Sequence, residues 1–452
     1  MIAALIHSMV VCPDMEKTYP KISHGEGSYL YDESGKRYLD ASSGSAAVSN
    51  IGHGNAAIAD ILKDQALKAS VLPTHAFSAS VVENYLEKLV RFAPKGFKRA
   101  WTVTSGTEAV ENAIKIALQY QQMTGRDKKH KVVSRWFSYH GNSIFTLDVG
   151  GMRFRRKMYE QWMHNFPHIS PAYQYRNGDG MSEEDYCDQC INEFLEVIQK
   201  NDPDTIAAYI AEPVVGAALG AVPPPKDYFK RIKEICEAYD ILFISDEVMT
   251  GFGRLGTPFG IEKFDVIPDI IAAGKGISGG YFPLSAVLIH NRIASVFESQ
   301  MTTFKAGHTF ACNPMGAAVG NYVLDFIEAR NILANVNEQG ALLRERLNEL
   351  KTLDIVGDIR GEGLLLGIEL VSDKLTKEPF PANKDVSKRI FLNALERGVI
   401  LYPGKGSADG INGDHILVCP PLSINKEEVE FLANTIRESI VLVQEELHQL
   451  IL

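Results

Sequence analysis

Two short apolar runs, each closed by one ionisable side chain, constrain this chain most. Ile241-Leu-Phe-Ile-Ser leads into Asp246, and Asp269-Ile-Ile-Ala-Ala-Gly leads into Lys275. A strand buried on both faces reads as a continuous apolar stretch. In an open α/β sheet, ligands sit outside the carboxyl ends of such strands. The pattern therefore predicts a mostly parallel sheet wrapped by helices, with an acid and an amine at two strand ends.

The rest of the chain supports that architecture. Helical patterns at 56–68 and 79–92 alternate with strand candidates at 100–104, 131–134, 206–211, 241–245, 269–273 and 284–289. Before them, Gly27 to Asp40 reads as two short strands around a turn at Asp32 to Gly35. The small residues of Asp40-Ala-Ser-Ser-Gly-Ser-Ala then read as a loop near a ligand. Residues 150–200 are polar and aromatic and long for a connection, which points to a functional excursion rather than a core element. From about 321 the pattern changes to helices at 316–329, 337–351 and 384–397 around a strand signature at 358–371. A last helix starts near Asn425, with Glu428 as its reciprocal cap. A chain of 452 residues exceeds one ordinary core. The expected division is an N-terminal segment 1–55 joining the small domain, a large cofactor-binding domain 56–320, and a smaller α+β domain 321–452.

Composition narrows the partners. The net charge is −10 and no basic run stands out, which argues against nucleic acid. No apolar stretch reaches the ~18 residues of a membrane span. Met1 to Cys12 has no basic n-region and is soon followed by Asp14 and Glu16, so no signal peptide is expected. Six cysteines in so long a chain make no disulfide framework and suggest a reducing, cytoplasmic setting. Cys187 and Cys190 form a lone CxxC without a second pair at zinc spacing. They read as two ordinary cysteines on a helix, and no metal site is expected.

The two strand-end residues suit one chemistry. An acid can keep a pyridine nitrogen protonated while a lysine holds an aldehyde as a Schiff base. Pyridoxal 5'-phosphate is the cofactor so described. Gly274 and Gly276 let the backbone turn beside Lys275, and burial lowers an amine's pKa. Asp246 and Glu247 point to opposite faces, so only one can meet the ring. Asp246 is the better placed, because Val248 then lies on its side. Ser105, Gly106 and Thr107 open a helix after a strand, where free N–H groups suit a phosphate. Taken alone, that run is also plain N-capping. Tyr139 and His140 precede a glycine at a strand end, where an aromatic residue can stack on a flat ring. Glu212 closes the strand Ile206 to Ala211. His308 and Thr309 could hold a second edge of a phosphate.

In this order, Ser105-Gly-Thr-Glu-Ala-Val-Glu-Asn-Ala, Tyr139-His-Gly-Asn, Ile244-Ser-Asp246-Glu-Val-Met-Thr-Gly-Phe-Gly-Arg254, Pro268-Asp-Ile-Ile-Ala-Ala-Gly-Lys275-Gly and Gly307-His-Thr-Phe resemble the class III (ω-type) aminotransferases of fold type I. The resemblance runs from about residue 20 to 440. It implies that Lys275 carries the cofactor and shuttles a proton, that Asp246 pairs with the pyridinium nitrogen, and that Val248 and Tyr139 sandwich the ring. It implies Gly106 and Thr107 at the phosphate, Thr309 reaching the neighbouring subunit's phosphate, and Glu212 near the substrate. It further implies a homodimer with shared sites, or a tetramer, and amino transfer from an amine or ω-/β-amino acid to pyruvate or 2-oxoglutarate by ping-pong kinetics.

The chain departs from the pattern in three places. Met249 stands where glutamine is common, and Cys312-Asn313 where Gly-His is. The stretch Tyr402 to His415 lacks an arginine that grips a carboxylate in many members. Lys405, His415 and the arginines at 153–156 remain as candidates for that task. Two other readings share the cofactor: a racemase or epimerase, which needs no oxo acid, and a non-catalytic binding relative. A nucleotide-dependent dehydrogenase is disfavoured because no GxGxxG follows the first strand.

Overall fold

The structure is a computed structural model and describes residues 19–449. The readings of Met1 to Cys12, Asp14 and Glu16 lie outside the described residues. The described chain opens with an antiparallel meander, β1 (Ile22–Glu26), β2 (Tyr29–Asp32) and β3 (Arg37–Asp40). Asp32 makes its turn by accepting the N–H groups of Ser34 and Lys36.

A seven-stranded sheet follows: β4 (Phe97–Val103), β5 (Lys131–Arg135), β6 (His168–Ile169), β7 (Ile206–Ala211), β8 (Leu242–Glu247), β9 (Ile270–Ala273) and β10 (Ser285–His290). Its spatial order is β4-β10-β9-β8-β7-β5-β6. Pairings from β9 through to β6 are parallel, whereas β10 runs antiparallel to both β9 and β4. The sequence pattern did not show that reversal. Its cause is the connection 274–284, which holds one short turn and no crossover helix.

Alternate residues of the central strands face two cores. Ala208, Ile210, Leu242, Ile244, Ile270 and Ala272 meet Ala109, Val110, Ala113 and Ile114 of the helix Gly106–Met123. Tyr209, Ala211, Phe243 and Ile271 meet Phe194 and Ile198 of the helix Glu183–Lys200 and Phe229 and Ile232 of the helix Tyr228–Ala238. The second half of the expected excursion at 150–200 is therefore a core helix. Its acidic first turn hides a buried stripe of Tyr186, Cys187, Cys190, Ile191, Phe194 and Ile198 at helical spacing.

The strand signature at 358–371 resolves into a hairpin, β11 (Val356–Glu362) and β12 (Leu365–Asp373). Gly363, with φ of 55°, takes the left-handed turn between them. After β13 (Glu378–Pro379) and β14 (Val399–Ile400), β15 (Tyr402–Lys405) and β16 (Asp414–Val418) complete an antiparallel sheet in the order β11-β12-β16-β15. β14 pairs in parallel with β3, so the N-terminal meander and the C-terminal part share one sheet. The helix Pro314–Ala329 passes unbroken through position 320, the expected domain boundary. It packs on the helices Ala56–Ala66 and Ser80–Phe92, and Gly320 lies under the Tyr85 ring, where a Cβ would stand 2.5 Å from ring carbons. The last helix, Lys426–Gln449, is capped as expected: Asn425 Oδ1 accepts the Glu428 N–H, and Glu428 Oε2 accepts that of Asn425. Among the described residues, no helix is long and apolar enough to cross a membrane.

One buried carboxylate joins the 170s segment to the C-terminal sheet. Glu369, on β12, is fully buried and accepts from Arg360 at 2.6 Å, Arg176 at 2.6 Å and the Tyr173 hydroxyl at 2.9 Å. Burial opposes its ionisation, but Arg360 and Arg176 outweigh that and hold the carboxyl below its ordinary value. Beside it, burial pushes His415 down to about 4, with Arg360 adding to the effect and Glu369 opposing it. Glu369→Ala would leave two guanidinium groups underpaired in the interior, at a cost of about 3–5 kcal/mol; urea denaturation at neutral pH measures it. His415 folds neutral and its pKa is depressed, so its contribution is complete above 6.5 and is lost as pH falls towards about 4. His415→Gln should flatten the acid side of the denaturation-midpoint profile over that range.

Candidate active site

Parallel pairing of β8 with β9 places Asp246 opposite Ala272 and Glu247 opposite Ala273. Immediately beyond, Gly274 leads into Lys275, whose φ of 46° is left-handed. A non-glycine residue held there is strained, and such strain gathers at functional sites. Lys275 borders a cavity of about 200 Å³ together with Gly106, Thr107, Tyr139, His140, Glu212, Asp246 and Val248. Five strand ends thus deliver eight of the residues singled out in the sequence to one place. Burial lowers the pKa of the Lys275 amine, partly offset by Cys419, Glu212 and Asp246.

Asp246 is itself positioned. His140 Nδ1 lies 2.7 Å from Asp246 Oδ2, and the Val248 N–H donates to Oδ1 at 3.0 Å. A carboxylate only accepts, so Nδ1 carries the proton of that bond. His140 Nε2 is buried with no hydrogen-bond partner among the described residues. Glu247 faces the other way and accepts from Thr250, Gly260 and Ile261, tying down the turn after β8. The alternation expected of a strand therefore separates the two acids. Glu212 is buried, and burial raises its pKa. Its two oxygens take the N–H groups of Tyr139 at 3.1 Å and Gly216 at 3.0 Å, which fixes the loop carrying Tyr139.

The cavity walls close tightly over their glycines. A Cβ on Gly106 would stand 2.9 Å from Val248 Cγ1, and one on Gly141 would stand 2.9 Å from Thr107 Oγ1. The helix Gly106–Met123 aims its N-terminus at this space. The first N–H groups of a helix have no intrahelical acceptor, so those of Gly106 and Thr107 are open to an anion. Ser105 takes the plainer role: its hydroxyl caps the helix by accepting the Glu108 N–H at 3.2 Å.

Four expected residues lie elsewhere. Thr309 sits on an exposed loop and does not border this chain's own cavity. Lys405 is ion-paired with Asp385 and borders a second, outer cavity of about 570 Å³. His415 is wholly buried against the Ala217 carbonyl at 3.2 Å. Arg156 is also buried, donating to the carbonyls of Leu147 and Gly150 at 2.8 Å each. Three further features belong to the site, and Ala217 alone of them carried no signal in the sequence. Ala217 borders both cavities. Met249 packs with Ala46 and Ala47. Ser43, Ala46 and Ala47 take φ of 48°, 63° and 63° in a turn that Asp40 holds through the Gly44 N–H at 2.6 Å. Only the run of small residues at 41–46 hinted at that turn.

Known proteins resemble this chain over nearly its whole length. The model of the family described as aminotransferase class-III matches residues 12–440. The chain is 36% identical to the uncharacterized aminotransferase YodT of Bacillus subtilis, over 97% of this chain and 99% of that one. It is 36% identical to the adenosylmethionine-8-amino-7-oxononanoate aminotransferase of Geobacter sulfurreducens, over 96% of this chain and 95% of the relative. A transaminase from the marine bacterium Virgibacillus superposes with a TM-score of 0.90 at 34% identity, covering 98% of each chain. With whole-length identity and superposition in agreement, the chain belongs to the class III aminotransferases, pyridoxal-phosphate-dependent enzymes of fold type I.

Proposed function

We propose that this protein transfers an amino group from an amine or ω-/β-amino acid to an oxo acid, pyruvate or 2-oxoglutarate, in two half-reactions with ping-pong kinetics. The observation that carries this reading is the meeting of Lys275 and Asp246 at one cavity floored by a helix N-terminus. The donor set fits pyridoxal phosphate: open N–H groups for its phosphate, a carboxylate for its ring nitrogen, and a buried amine for its aldehyde. When bound, the cofactor supplies an electron sink for charge developing on the amino-bearing carbon.

The chain's own residues would do the rest. Lys275 Nζ, kept unprotonated more readily by burial, anchors the cofactor and then takes and returns the substrate proton. Asp246 is held facing the ring because His140 and Val248 supply donors to both its oxygens. Gly106 and Thr107 bind the phosphate. Tyr139 and Val248 confine the ring from either side. Thr309, exposed on its loop, would serve the site of a second subunit in a homodimer. The Geobacter relative is named for 8-amino-7-oxononanoate, whose oxo group stands well along an aliphatic chain from its carboxylate. That name supports substrates whose reacting carbon lies far from their acid. Glu212 would read a second cationic group on the donor. The cytoplasm suits the free thiols of the described cysteines.

Lys275→Ala should abolish transamination, and borohydride reduction after incubation with pyridoxal phosphate should label Lys275 in peptide maps of the unmodified protein. A label on another lysine, or turnover by the variant, refutes the assignment. Glu212→Gln should lower kcat/KM for a diamine relative to a monoamine of equal length; an unchanged ratio removes Glu212 from donor recognition.

A further inference from the structure

An amino acid or oxo acid brings a carboxylate, and a carboxylate in a partly dry site needs a cation. The cations near the two cavities are mostly committed. Arg254 is buried and donates to Pro420 O at 2.6 Å and Asn50 Oδ1 at 2.6 Å. Arg156 serves main-chain carbonyls, His140 serves Asp246, and Lys405 is paired with Asp385. Arg153 lies over the Trp136 ring at 4.8 Å and borders neither cavity.

Arg155 differs from all of these. Among the described residues it has no carboxylate partner, it borders the outer cavity, and unlike Lys388, which also borders it unpaired, it is set beside Tyr139. Its guanidinium lies 5.2 Å from the centre of the Tyr139 ring and 5.4 Å from that of Phe154. Tyr139 borders the inner cavity with Lys275, and Arg155 borders the outer one, so the guanidinium stands where the two adjoin. Ala217 is a wall of both. Beyond Arg155 the outer cavity is largely apolar. Phe154 and Ile411 line its mouth and leave 55% and 71% of their surface exposed. Exposed apolar groups around a hollow mark a binding surface.

We propose that Arg155 binds the carboxylate of substrates whose apolar chain runs outward from Lys275 past Tyr139 and Ala217 into this outer cavity. The inference rests on the transaminase reading for the orientation of the substrate. Arg155 is thus a specificity-determining residue, and the substrates it selects carry their amino group and their acid at opposite ends of an aliphatic spacer. A guanidinium stacked on an aromatic ring keeps its edge N–H groups free for such an acid.

Calorimetry of the cofactor-loaded protein with hexanoate and with hexanamide tests this without turnover. Hexanoate should bind more tightly than hexanamide. Arg155→Met should weaken hexanoate by roughly tenfold or more, the scale of a charge-assisted hydrogen bond, and leave hexanamide unchanged. Arg155→Lys should retain part of the preference. Lys388→Ala and Lys405→Ala, at the outer wall, should change hexanoate binding less than about twofold. Equal binding of the two ligands by the wild type, equal loss of both in Arg155→Met, or a larger effect at Lys388 or Lys405 would overturn the proposal. Absence of amino transfer with hexanoate selectivity intact would instead count against the transaminase reading alone.

Discussion

The parallel hydrogen-bonded pairing of β8 with β9 is the constraint on which the site depends. Both strands are buried on both faces, so neither can slip without moving an entire row of apolar side chains between cores. With the register fixed, Asp246 ends one strand level with Ala272, and Lys275 emerges just past the end of the other. The acid and the amine approach one cavity without touching, because the left-handed backbone at Lys275 turns its side chain across the strand end. Strand geometry also divides the acids. Asp246 faces the cavity, and Glu247, one position on, is spent on the turn behind it.

Several ionised groups around that core are held without an opposite charge. Arg254 donates through its terminal nitrogens to Leu364, Pro420 and Asn50, and Lys129 donates to the carbonyls of Pro203, Ile206 and Tyr239. Main-chain carbonyls act here as the counter-dipoles that a buried cation requires. Glu369 uses the other solution, with two guanidinium groups on one carboxylate. Both arrangements tie together segments from distant parts of the sequence.

Much of this was legible in the residues because periodicity and strand ends are local properties. The apolar runs before Asp246 and Lys275 announced buried strands, and Asn425 with Glu428 announced a helix start to the residue. Features that depend on chain direction or on tertiary partners were not legible. β10 reverses because its connection is short, while its own residues read like those of its parallel neighbours. The run 358–371 looked continuous because Gly361 and Gly363 interrupt its apolar pattern too briefly to show. The stretch 183–200 read as part of a polar, aromatic excursion, though its inner stripe belongs to the core. At the site, strand-end residues were found and loop residues were harder to rank. Lys405 and Arg155 look equally available in one dimension. Asp385 claims the first, and only the fold sets the second on Tyr139.

The pairing of β3 with β14 has a bearing on how the molecule is made. Leu39 meets Val399, from nearly opposite ends of the sequence. Strands β4 to β10 can assemble while the chain is still leaving the ribosome, but the N-terminal meander must wait for its partner until Val399 and Ile400 have been made. Ser43, in the turn that follows β3, accepts no final position before Cys419 arrives to receive its hydroxyl hydrogen bond at 2.7 Å. The packing of Ala46 and Ala47 with Met249, which borders the inner cavity, is therefore among the last parts to set. A nascent chain would leave the Met249 side of the inner cavity without this backing until the segment through Cys419 has emerged.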